Sequence, residues 1–259
     1  MPLDTSTYSL ALLRLDGRRW NELRHLTAQM RTQAAADGSS YLEMGNTKVI
    51  CTVSGPSEGK TGGAGGGQRD KANIECTINV AGFSGVDRKR SGRGDKRLSE
   101  MQTTISSAFT HTLLTHLYPH STISVSLHVL SQDGSLLAGC INAATLALID
   151  AGIPMRDYIC ACTAGSTSSY SSNDEKADPL LDLNGMEEQE LPFLTVATTD
   201  GGGEGGGDDV VVLVMETRVQ QGRLEGMLAV GVDGCKQVRE ILDGVVRERG
   251  ARMVEGARI

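Results

Sequence analysis

Apolar residues recur along this chain with two periods, and the switches between them mark its elements. Ile123, Val125, Leu127 and Val129 alternate with polar neighbours, which predicts a half-buried strand. Leu98, Met101, Ile105, Phe109, Leu113 and Leu117 keep helical spacing, which predicts a helix from Leu98 that Pro119 ends. Residues 39–54 read as two short strands about a Gly45-Asn46 turn, and 55–72 as a loop. Residues 73–83 predict a further strand, 84–97 a basic loop, and Tyr158 to Cys162 a buried strand. Residues 139–151 predict a helix of small side chains, whose neighbours can approach closely before Gly152 and Pro154 stop it. Residues 191–199 and 209–216 are predicted strands. Residues 221–250 are predicted helical, with a glycine-rich break from Gly231 to Gly234.

Strands come early and helices late in two stretches, about 15–163 and 178–250. That order implies an α+β (α/β-like) fold, two sub-structures of similar plan packed in one domain over 15–250. Residues 1–14 read as an N-terminal extension and 251–259 as a C-terminal tail. The glycine-rich tracts 61–67 and 201–207 lack GK[ST] and a strand-to-helix step, so they read as flexible insertions rather than phosphate loops.

Only 3% of the 259 residues are aromatic, so the core must be aliphatic. No run reaches the roughly 18 apolar residues of a membrane helix, and no basic stretch precedes the short apolar run near the start. None of the six cysteines forms a CxxC pair, which points to free thiols in a reducing compartment. Cys160 and Cys162 share one face of a strand and read as buried thiols. His116 and His120 are split by Pro119 and lack a further ligand, so neither metal nor cofactor is expected.

The net charge of −7 changes the picture only locally. Between Arg88 and Arg97 stand six basic side chains (Arg88, Lys89, Arg90, Arg93, Lys96, Arg97) and one acid, Asp95. A charge run is commonly a solvated face. This one sits in a glycine-containing loop at the mouth of a predicted helix, where cations and free amides together suit phosphate groups. No aromatic is interleaved, so a polyanion would be recognised by backbone charge.

Several stretches carry a family resemblance. Leu15-Asp16-Gly17-Arg18-Arg19 with Asn21-Glu22-Leu23-Arg24 resembles the opening signature of RNase PH-type proteins. Asp37-Gly38-Ser39-Ser40 and Gly45-Asn46-Thr47-Lys48-Val49 resemble their first hairpin. Gln132-Asp133-Gly134, and Asn142 to Met155, are similar to their central helix. The likeness runs from about Leu15 to Arg249. It is nearest to RNase PH-like ring subunits of the eukaryotic RNA exosome, in particular the one whose archaeal counterpart is phosphorolytic. The resemblance implies an RNase PH fold, two βαβα units of the ribosomal protein S5 domain 2-like kind. It implies a six-membered ring of RNase PH-like subunits around a pore for single-stranded RNA. S1/KH-type cap subunits on one face and a docked hydrolytic 3'-to-5' exonuclease on the other are implied too. So is residence in the nucleus, including the nucleolus, and the cytoplasm, with no membrane partner.

The resemblance also implies a site, and the sequence departs from it. Active members place Gly-Thr-Arg just after the Asp-Gly turn, where the arginine holds phosphate. Here Ser135-Leu136-Leu137 follows, and Leu137 takes the arginine's slot with neither charge nor donor. Asp182 falls where the family's first aspartate is expected. The second is expected near Glu190 or Leu191, where no aspartate stands; Glu187, Glu188 and Glu190 are the nearby acids. Lys96 and Arg97 match RNA-contacting positions, and Lys60, Arg69 and Lys71 lie in the loop that faces the pore entrance in the family. The expectation is a non-catalytic, RNA-guiding ring subunit; the alternative is an active phosphate-dependent 3'-to-5' exoribonuclease.

Overall fold

The computed structural model describes residues 14, 16–58, 71–85, 88, 95–167, 178–200 and 208–256. Five strands form the first sheet: β1 (Leu26–Met30), β2 (Gly38–Met44), β3 (Thr47–Glu58), β4 (Asn73–Val80) and β5 (Ser121–Ser131). Their spatial order is β1-β2-β3-β5-β4. All pairs are antiparallel except β4 with β5. A parallel step needs a crossover. Helix α1 (Lys96–Thr112) and a 3-10 turn (Thr115–Leu117) supply it.

Helix α2 (Leu136–Asp150) follows, then β6 (Cys160–Ser166), β7 (Pro179–Leu181), α3 (Gly185–Glu190), β8 (Phe193–Asp200), β9 (Asp208–Met215) and α4 (Gln221–Gly256). The second sheet runs β7-β6-β8-β9, antiparallel throughout. Helix α2 lies between the two sheets, which explains its composition: every residue from Leu137 to Leu148 is buried. Polar side chains fix it on both sides. Asn142 donates to the Ala161 carbonyl at 2.9 Å and accepts from the Ala161 N–H at 2.8 Å. Ser40 of β2 donates to the Ala143 carbonyl at 2.6 Å. The principal apolar cluster accordingly draws residues from both halves, from Leu42 to Leu242. Each fully buried Leu or Ile in it contributes about 1.5–3 kcal/mol.

The alternating run in β5 is buried as its pattern predicts, with Ile123, Val125, Leu127 and Val129 all inside. Several expectations change: the strand predicted over 73–83 ends at Val80, and the one predicted from Tyr158 to Cys162 runs from Cys160 to Ser166. Helix α1 ends at Thr112 rather than Pro119, because the Leu114 N–H turns away to the Pro154 carbonyl and Leu113 bridges to Met155. Strand β3 continues past residue 54 to Glu58, resuming its pairing with Thr122 and Ser121 after an irregularity. Helix α2 starts at Leu136, three residues earlier than its small-residue run. Helix α4 is unbroken through Gly231 and Gly234. A Cβ at Gly234 would lie 2.3 Å from Leu181 and 3.1 Å from the Cys162 sulfur, so glycine there serves close approach to the sheet. The tracts 61–67 and 201–207 lie outside the described residues.

Candidate functional site

The Asp133-Gly134 turn delivers the chain into α2 and organises everything around it. Gly134 has φ +75°, and a Cβ there would meet the Leu183 carbonyl oxygen and Asn184 backbone at 2.6 Å. Asp133 accepts from Asn46 and from the Gly185 N–H, tying the turn to the β2–β3 hairpin and to α3. The next residue, Ser135, has φ 53°. Its N–H donates to Glu188 at 2.6 Å, and its hydroxyl lies 3.0 Å from Asp182 Oδ1 and 3.1 Å from the Leu183 carbonyl oxygen.

Asp182 does not face a cleft. It is 1% exposed and is consumed by Arg24: the Arg24 backbone N–H and Nε donate to Oδ2 at 2.9 and 3.0 Å, and Nη2 to Oδ1 at 2.7 Å. Burial alone would raise this carboxyl. The Arg24 charge and hydrogen bonds, with Arg18, outweigh it and hold the group below the ordinary carboxylate range. Beside it, Arg14 pairs with buried Glu187 and donates to the Asp182 carbonyl. Asp182, which falls where the family's first aspartate is expected, thus clasps the N-terminal segment to the second half. Arg14, at the end of the expected extension, is itself buried.

The open cleft lies next to this clasp, between the start of α1, the start of α2, α3 and the ends of β8 and β9. It is lined by Arg97, Glu100, Met101, Thr104, Gln132, Leu136, Leu137, Glu188, Phe193, Thr195, Val214 and Glu216, and has a volume of about 70 Å³. Leu136 and Leu137 both line this cleft. Glu190 is exposed and does not line it. Glu188, two residues earlier in α3, does. Glu100 and Glu216 are additions that the sequence reading missed. Residues 97, 100, 101 and 104 share a face of α1 by helical spacing, a signal that could have found Glu100. Glu216 reaches the cleft only through the pairing of β9 with β8, which no local pattern reveals.

The lining charges are one arginine and three glutamates. Arg97 is drawn toward Glu216, Nη2 to Oε1 at 3.6 Å. The mouth of α2, where an anion would otherwise be favoured, already holds the Glu188 carboxylate. Burial pushes the Glu188 carboxyl above its ordinary value of 4.5, although the Ser135 N–H and the charges of Arg24 and Arg97 pull it back. A group with a raised folded pKa binds its proton more tightly when folded. Its charge therefore costs stability at neutral pH, and the cost fades as pH falls through the raised value toward 4.5. Glu188→Gln is expected to unfold at higher temperature than the parent at pH 7, with the two converging near pH 4. Thermal unfolding at both pH values checks this; an equal difference at both would overturn it. Among the described residues, no group of three or more His, Cys, Asp and Glu side chains is placed to hold a metal ion.

Among the described residues, the basic side chains singled out by the sequence do not form one patch. Lys96 and Arg97 are exposed and occupy the first turn of α1 itself, not the end of a loop. The helix mouth beside them is not open: Asp95 is the N-cap and accepts from the Arg97 N–H at 3.1 Å. A phosphate there would meet side chains, not free amides. Arg88 is exposed. Lys71 is exposed at the opposite end of β4, whose eight residues span about 26 Å at 3.3 Å each. Lys60, Arg69, Lys89, Arg90 and Arg93 lie outside the described residues.

Similarity to known proteins is extensive. Residues 22–154 match the RNase PH profile, the 3' exoribonuclease family, domain 1. The chain is 40% identical over 240 residues to the exosome complex component ski6 of Schizosaccharomyces pombe, covering 93% of each chain. It is 39% identical over 236 residues to the human exosome complex component RRP41, covering 91% of each. Rice (Oryza sativa) Rrp46 superposes with a TM-score of 0.73 at 25% identity, over 90% of this chain and 100% of that one. A chain of the Archaeoglobus fulgidus exosome, solved with RNA bound to its active site, has the same fold. Its TM-score is 0.71 at 20% identity, over 91% and 96% of the two chains.

Proposed function

Since this chain belongs to the RNase PH family of 3' exoribonucleases, we propose that it serves as a non-catalytic ring subunit of an RNA exosome. In this role it sits beside other RNase PH-like subunits in a six-membered ring, under S1/KH-type caps, and guides single-stranded RNA to a docked hydrolytic 3'-to-5' exonuclease. Nucleus, nucleolus and cytoplasm are its proposed locations. The relatives that span almost the whole chain are themselves named exosome components, which supports the assembly part of the reading.

The absence of catalysis rests on one observation: the cleft offers phosphate Leu137 and three carboxylates against a single arginine. Inorganic phosphate carries nearly two negative charges. It needs a donor fork, and a leucine supplies no donor. The site would hold RNA phosphates no better, so RNA contact belongs to the exposed Arg88 and Lys96 and to the exposed Arg97 at the edge of the cleft.

The second reading, an active phosphate-dependent 3'-to-5' exoribonuclease, draws on the family's activity and on Glu188, a half-buried acid that could exchange a proton. One assay separates the two. The pure chain, and the reconstituted ring without the docked nuclease, are given RNA and inorganic phosphate, and nucleoside diphosphates are measured. None is expected. Phosphate-dependent release that disappears in Glu188→Gln would establish the second reading. Asp182→Ala is unsuitable as the control, because it removes a fold contact as well as a carboxylate.

A further inference from the structure

The hydroxyl of Ser99 stands among the cations at the start of α1. Lys96 and Arg97 lie three and two residues before it, and all three residues are exposed. Residues three apart on a helix share a face, so Ser99 sits one turn along from Lys96. Three hydrogen bonds that start the helix all end on Asp95. Its carboxylate accepts from the Arg97 N–H at 3.1 Å, and its carbonyl accepts from the Ser99 N–H at 3.1 Å and from the Ser99 hydroxyl at 3.2 Å. Leu98 is the one residue from 95 to 100 that is partly buried and packed on the core. Releasing Asp95 therefore opens the first turn and leaves the turns around buried Ile105 and Phe109 in place.

The other hydroxyls of α1 lack this setting. Thr103, Thr104 and Thr110 each donate to a carbonyl four residues back, within the helix. None of them has a cation three or two residues before it. An exposed hydroxyl preceded by two cations, on a turn that can open, suits a protein kinase with an acidic peptide groove, because such enzymes select substrates by charge pattern.

We propose that Ser99 is a phosphorylation site for such a basophilic kinase, and that its phosphate releases RNA from Lys96 and Arg97. The release rests on the channel role above; the modification does not. ATP supplies the γ-phosphoryl group. The Ser99 Oγ–P bond forms, the P–O bond to ADP breaks, and the hydroxyl proton leaves to the kinase's base. The product carries about −1.5 to −2 charges at pH 7, enough to offset both cations. It lies in the first turn of α1, where the helix dipole favours an anion, so the modified turn closes again. Helical spacing makes Lys96 its nearest cation, while Arg97 already has Glu216 at 3.6 Å. An RNA phosphate arriving at this turn then meets an anion instead of two free cations.

The test uses the full chain in its reconstituted ring, without the docked nuclease. The ring is incubated with ATP and the catalytic subunit of cyclic-AMP-dependent protein kinase, a basophilic enzyme. Mass spectrometry is expected to place phosphate on Ser99, and the double substitution Lys96→Gln and Arg97→Gln should abolish it. Phosphate absent from the chain, or confined to its other residues, overturns the site. Binding of a uridine oligomer is then followed across several salt concentrations. Phosphorylation should flatten the slope of log affinity against log salt by about 1–2, as loss of two phosphate contacts would. A Ser99→Ala ring given the same treatment should keep the parent slope. If Ser99 carries phosphate and the slope is unchanged, while the double substitution Lys96→Glu and Arg97→Glu flattens it, the switch is wrong and the channel role stands. If neither flattens it, both fail.

Discussion

Asp182→Ala is expected to lower the unfolding free energy by about 3–5 kcal/mol, the usual cost of leaving one member of a buried ion pair alone. For a chain of this size, that corresponds to a fall of about 6–20 °C in Tm. The cause is not loss of the carboxylate as such but the Arg24 guanidinium left behind it, enclosed and without its two strongest acceptors. Asp182→Asn should cost less, since its amide oxygen can still accept. Replacing both partners, Asp182→Leu with Arg24→Met, should recover much of the loss, because apolar side chains of similar volume carry no desolvation cost. The pair also sets an acid limit. Its stabilisation is fully present above the ordinary aspartate value of 3.8 and is lost as pH falls through the depressed folded value. Thermal and urea unfolding measure all three variants. A cost under about 1 kcal/mol for Asp182→Ala would mean that the clasp does not hold the fold.

The double substitution Lys96→Glu and Arg97→Glu should act on RNA and spare the fold. Both side chains are exposed, and Arg97 loses only a 3.6 Å surface pair with Glu216, worth under about 1 kcal/mol. Each phosphate neutralised on a single strand contributes about −0.7 to the slope of log affinity against log salt. Two lost contacts should flatten that slope by about 1–2 and weaken all sequences alike. In the complete complex, degradation of RNA long enough to need the channel should slow, while RNA short enough to reach the nuclease directly should be degraded at the parent rate. Equal rates on the long RNA would reduce these residues to a solvated surface.

What could be read from the sequence follows the range of the interactions. The alternation in β5 and the small-residue run of α2 are local, and both are present as expected. The ends of α1 and β3 were misjudged, because Pro154 and Thr122, distant in sequence, decide them. Gly231 and Gly234 looked like a helix break because propensity speaks before packing does. The sheet beneath them rewards the missing side chains. The candidate site was half legible. Leu137 could be placed by its distance from the Asp-Gly turn, and it does line the cleft. Asp182 could not be assigned, because a catalytic carboxylate and a structural one look alike until the partner is known, and Arg24 stands 158 residues away.

That separation has a consequence for how the chain is made. Arg14 and Arg24 leave the ribosome well before their carboxylates, Glu187 and Asp182, which follow 173 and 158 residues later. At roughly 5–20 residues per second, the arginines wait about 10–30 s for them. Throughout that interval the first sheet has no clasp, and once α2 is made the face meant for the second sheet has nothing to cover it until β6 and β8 follow. The nascent chain must therefore pass through a half-built state with a sticky helix on its surface, and that hazard ends only when β8, which closes at Asp200, has been made.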